Sequence, residues 1–221
     1  MRHHPLRRHL EAGRTRNRWR PLRGTAAQPR AWPYAELLRH YANGTALARL
    51  GDLGRSQAEL EALERAALRV APPYGRFAKV ASLSVRAAMS AARGDERLAE
   101  AISSLQLAVA EQASWVYDEP PKWHMPMRQC LGRLLLRARE WSRAHETFVA
   151  DLADFPANGY SLWGLRESML AQPTKYAPAD VRRVDAQVRS AWASADVPLT
   201  SSCAAFDPPP ARAERAAQAK R

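Results

Sequence analysis

The chain has 221 residues, 46% apolar and 25% charged, which excludes wholesale disorder and fits one ordinary domain or one repeat array. Forty-three alanines against 10 glycines favour helix over sheet, and no run approaches the roughly 18 uninterrupted apolar residues of a membrane helix. The formal charge of +12 is uneven: residues 1–30 carry nine Arg and one Glu, whereas residues 31–202 carry 21 basic and 19 acidic side chains.

Pro33 opens an amphipathic helix expected over Tyr34–Leu50, which Gly51-Asp52 breaks. A second helix is expected over Ser56–Val70, with Ala58, Leu60, Leu63, Ala66 and Ala67 apolar, and Pro72-Pro73-Tyr74-Gly75 forms the next connection. Lys79–Arg93 is closed by Gly94-Asp95. Leu98–Val116 follows with Ala101, Leu105, Ala108 and Val109 on one face, and Pro120-Pro121 stops it. Pro126 suits a helix first turn, continued by Met127–Arg139; Trp141–Phe155 comes next and ends at Pro156. Asn158 is an N-cap for Tyr160–Ala171, and Pro178 opens a last helix running to about Ala195. Pro208-Pro209-Pro210 and an Ala/Arg/Lys run end the chain. This divides it into a disordered Arg-rich arm (1–30), a helical repeat domain (31–197) and a disordered tail (198–221).

Eight helices in four pairs, at a period of roughly 34–45 residues, point to a helical solenoid. The clearest unit starts at Met125. Its seventh and eighth positions are Leu131-Gly132, its twentieth Ala144, its twenty-fourth Phe148 and its thirty-second Pro156. This spacing resembles the tetratricopeptide repeat, although Arg128 stands at the fourth position where that pattern often has Trp. Small residues would stand where paired helices cross, Phe148 would fill the space between pairs, and Pro156 would end the second helix. The other units are weaker: the first, from Leu37, keeps Gly44 and Gly51 but has Ser56 at position twenty. The fourth keeps Leu162 and Leu165 and then loses the pattern, as a terminal cap does. The run Tyr117-Asp118-Glu119-Pro120-Pro121-Lys122-Trp123, then Pro126, Arg128 and Leu131-Gly132, resembles the C-terminal part of a group of bacterial-type tetratricopeptide proteins of uncertain function. The likeness covers about residues 31–197, and it implies an all-α solenoid of about four helix pairs, part of a longer array.

Function is less legible. The resemblance implies that first-helix positions line a concave groove: Tyr41 in the first unit, Gln129, Arg133 and Leu136 in the third, and Tyr160, Trp163 and Glu167 in the fourth. Aromatics beside Arg are common binding anchors, so a protein or peptide partner is expected, with self-association open to the exposed first repeat. The alternative centre is the loop holding Tyr117, Glu119, Trp123 and Arg128, an aromatic wall with a carboxylate and a guanidinium that suits a small molecule; if bland, Glu119 pairs with Arg128 and Trp123 packs on the next helix. His124, Met125, Met127 and Cys130 are soft ligands in sequence but read as core. No catalytic residue, cofactor or metal is expected, nor is nucleic acid, since the excess charge lies in the arm. Cys130 and Cys203, 73 positions apart, form neither a disulfide framework nor a zinc pattern, so reduced thiols and a cytoplasmic chain are expected. The Arg-rich arm leaves a mitochondrial transit peptide open.

Overall fold

The computed structural model describes residues 32–71, 74–116 and 123–207. Among them lie eight α-helices, two single-turn 3-10 segments and no strand. The helices are α1 (Pro33–Arg49), α2 (Leu53–Ala67), α3 (Gly75–Ala92), α4 (Leu98–Ala113), α5 (Met127–Arg137), α6 (Trp141–Asp154), α7 (Gly159–Leu170) and α8 (Pro178–Ala191). Each coincides with an expected helix, with ends displaced by up to four residues. Asp52 accepts from the Arg55 amide at 3.2 Å and so starts α2 three residues before Ser56. Asn158 accepts from the amides of Tyr160 and Ser161 at the start of α7, as its position in the sequence implied. Pro126 stands just outside α5 with extended backbone, where its missing N–H costs no helical bond.

Helix α1 packs on α2, α3 on α4, α5 on α6 and α7 on α8; the pairs join in chain order through α1–α3, α2–α3, α4–α5, α5–α7 and α6–α7. Small residues mark the close approaches. Ser56 is fully buried against α1, and its hydroxyl donates to the Gly44 carbonyl at 2.8 Å, so a serine serves where alanine was expected. Ala144 is likewise fully buried. Phe148 of α6 is fully buried, and a Cβ added at either Gly132 of α5 or Gly164 of α7 would overlap its ring. The ring therefore fits only because both facing positions lack a side chain.

At the start of α1, the Trp32 and Tyr34 rings lie 5.1 Å apart and both meet Tyr74, while Phe77 meets Trp115 at 4.8 Å. These aromatics tie α1 to α3 and to the end of α4.

Two expectations are corrected beyond α8. The segment placed in a disordered tail from residue 198 returns to the helices: Ser201, Ser202, Cys203 and Phe206 are all buried. Cys130 and Cys203, expected as separate thiols, are joined in a disulfide with their Cα atoms 4.9 Å apart. The arm at 1–30 and residues 208–221 lie outside the described residues.

Candidate functional site

Helix α5 has three arginines and no acidic residue. Gln129, Arg133 and Arg137 recur at intervals of four and therefore share one face. Residues 201–207 lie on it, and the one-turn 3-10 segment Ala204–Phe206 touches α1, α3 and α5. Ser202 Oγ donates to the Gln129 carbonyl at 3.1 Å, Arg133 Nε donates to Asp207 Oδ1 at 2.5 Å, and an Arg137 nitrogen donates to the Phe206 carbonyl at 2.9 Å. The Phe206 ring enters the core, and Cys203 bonds Cys130 beside the Met125 sulfur, which lies 3.4 Å from one sulfur and 3.8 Å from the other. The second terminal nitrogen of Arg137 donates to Asp95 Oδ1 at 2.8 Å, which holds the guanidinium through a group outside the segment. Ser201 Oγ donates to Asp207 Oδ1 at 3.0 Å and accepts from the Cys203 amide at 3.2 Å, closing the segment on itself.

Behind this face runs a buried polar network. Asp151 of α6 is fully buried; its Oδ2 accepts from Ser161 Oγ of α7 at 2.5 Å and from Gln129 Nε2 at 3.3 Å, while its Oδ1 has no partner. Burial pushes this carboxyl above the ordinary carboxylate range, against the hydrogen bonds from Ser161 and Gln129. Gln129 thus links the network to the segment, bonding Asp151 through its side chain and Ser202 through its carbonyl.

The residues expected to line a groove do not form one open surface. Tyr41 is buried against Trp123 and His124, with ring centroids 5.1 and 5.5 Å away, and burial pushes its hydroxyl up to about 12. Gln129 and Leu136 are buried, and Arg133 is taken by Asp207. In α7, Trp163 is half-buried against the core, Glu167 pairs with Arg166 at 2.7 Å, and Tyr160 stands exposed with its ring edge-on to Trp192 at 5.2 Å.

The alternative loop site is not assembled by the residues the structure describes. Tyr117 and Glu119 lie outside them. Trp123 is buried on Tyr41, a residue of α1 and not of the next helix, and Arg128 pairs with Asp154 at 2.5 Å. Arg128 and Arg143 both line a cleft of about 280 Å³ between α4, α5 and α6, but Arg143 is paired with Glu140. His40 and Glu59, 2.5 Å apart, tie α1 to α2; the second ring nitrogen of His40 meets Arg39 at 2.9 Å, so both nitrogens are engaged.

Sequence reasoning missed Arg137, Ser202, Phe206 and Asp207. The signal it passed over was a lone aromatic-acid pair three residues after the second cysteine, in a stretch without helical period. Comparison with protein-family models, with curated proteins and with solved structures returns no match to this chain.

Proposed function

We propose that this chain is a protein-interaction module, not an enzyme, built as a tetratricopeptide-like solenoid of four helix pairs whose first helices receive a peptide or partner helix. One observation carries the reading: a seven-residue segment, 201–207, is seated on α1, α3 and α5 by a buried aromatic ring, a carboxylate–arginine pair and a bond to its backbone. Those are the elements of short-peptide recognition, here supplied within one chain. The order of helix pairing and the Phe148 ring fitted between Gly132 and Gly164 support the repeat reading. The small-molecule reading centred on Tyr117–Arg128 draws less support, because Arg128 is neutralised by Asp154 and Trp123 is buried.

A partner outside the chain would meet Tyr160 and Trp163 on α7, or the α5 face once residues 201–207 lift. No helix among the described residues is long and apolar enough to cross a membrane. Reduced thiols were one support of the cytoplasmic expectation; the Cys130–Cys203 bond removes that support, since disulfides persist chiefly in oxidising surroundings.

The test is a random peptide library panned on the intact protein with and without a dithiol, run beside a thermal-shift screen of small metabolites. Enriched peptides whose binding falls in Arg133→Glu or Trp163→Ala support the module. Stabilisation by a small molecule alone, lost in Arg128→Ala, favours the alternative.

A further inference from the structure

Residues 201–207 read as a ligand that the chain carries for its own surface. Four side chains make the attachment: Ser202, Cys203, Phe206 and Asp207. Two of the receiving residues are held by groups outside the segment as well. Arg137 is held by Asp95 and by the Ala91 carbonyl, and the Gln129 side chain by Asp151. The Arg133–Asp207 pair is about four-fifths shielded on both sides, 20% and 19% exposed, so a carboxylate there is recognised with little competition from water. Helix α5 offers no acidic group that would repel one. The Phe206 ring is 3% exposed, and the bond to its carbonyl is available to any residue in its place.

We propose that the face of α1, α3 and α5 beneath this segment docks a short peptide that makes a single 3-10 turn and whose aromatic residue is followed directly by a carboxylate, and that Phe206-Asp207, latched by Cys130–Cys203, fills it in cis. The proposal rests on the interaction-module reading and gives it a ligand chemistry. While the disulfide stands, a competing peptide cannot displace the segment. Reduction opens the latch: a dithiol supplies two electrons and two protons, the Cys130–Cys203 bond breaks to two thiols, and the dithiol leaves as its own disulfide. Both cysteines are buried, so the dithiol reaches the bond only during brief local openings around it, and reduction is slow. After reduction the segment still competes, because tethering gives it an effective concentration on the order of millimolar. A partner must therefore either arrive in quantity or carry a better version of the same pair.

The test uses the full chain with Cys203→Ser, Phe206→Ala and Asp207→Ala combined, which empties the face while leaving the receiving groups in place. The probe is a fluorescent synthetic peptide with the sequence of residues 199–208 and serine at the Cys203 position, read by anisotropy. The emptied chain is expected to bind the probe. The oxidised parent is expected to bind at least about tenfold more weakly, as is a probe with alanine at the Asp207 position. Adding Arg133→Glu is expected to remove binding. If the emptied chain keeps its helical circular dichroism and does not bind, the proposal is overturned. If it loses its helicity, the parent before and after dithiol decides, with unlabelled probe peptide raised above the millimolar range so that it out-competes the tethered segment: binding that appears on reduction supports the proposal, and none under either condition overturns it. Panning a random library on the same protein separates the two readings. Peptides that dock without an aromatic-acid pair sink this inference and leave the module standing, whereas no peptide at all sinks both.

Discussion

Asp151 shows how one side chain couples burial to pH. Its carboxyl has a hydrogen-bonded oxygen facing Ser161 and Gln129 and an unpartnered oxygen in the core. A proton therefore stays on it to higher pH in the folded chain than in the unfolded one. Such a group contributes stability that is fully present below the ordinary carboxylate range and is lost as pH rises through the raised folded value. Asp151→Asn removes the titration, so its melting temperature relative to the parent is expected to improve as pH rises above the ordinary carboxylate range. Asp151→Ala leaves the Ser161 and Gln129 donors buried without an acceptor, and about 1–3 kcal/mol of stability is expected to go, measured by denaturant titration. Phe148 gives the second test at this scale. Phe148→Ala is expected to cost about 3–5 kcal/mol, and Gly132→Ala about 1–3 kcal/mol, because its methyl would overlap the ring. Gly132→Leu is expected to be worse still. The glycine penalty shrinks by at least about 0.5 kcal/mol when Phe148→Leu is already present, a coupling that a double-mutant cycle reads directly.

Among the elements, the segment 201–207 differs most from the others. The helices are held by apolar faces packed on neighbours; the segment is held by one ring, one ion pair, one covalent bond and the hydrogen bonds of Ser202 and Arg137. Closing a 73-residue separation restricts the unfolded chain, so Cys203→Ser is expected to lose about 2–4 kcal/mol on chemical denaturation. Asp207→Ala, which removes the acceptor of Arg133 and of the Ser201 hydroxyl, is expected to lose about 1 kcal/mol or somewhat more. Helix α7 depends on a local device instead: Asn158→Ala removes the acceptor for two amides, and an expected loss of about 1 kcal/mol follows.

Across the whole chain, these differences predict which structure survives reduction. The helix-to-helix packing does not pass through Cys203, so far-UV circular dichroism at low temperature is expected to be unchanged by a dithiol, while the melting temperature falls. The sequence by itself determined the eight helices, because prolines, caps and apolar periodicity act within a few residues of where they stand. Pro33, Asn158 and Pro178 mark helix starts, and Leu131, Gly132, Ala144 and Phe148, set at the repeat-like spacing, are buried. Tyr41, Gln129 and Leu136 were found as a helical register but not as buried groups, since the register says which residues share a face and not what lies upon it. Only the tertiary structure decided that Phe206 and Asp207 belong to α5 and that Cys130 meets Cys203. Those contacts join residues about seventy positions apart through a stretch with no period of its own, and nothing local records where such a stretch comes to rest.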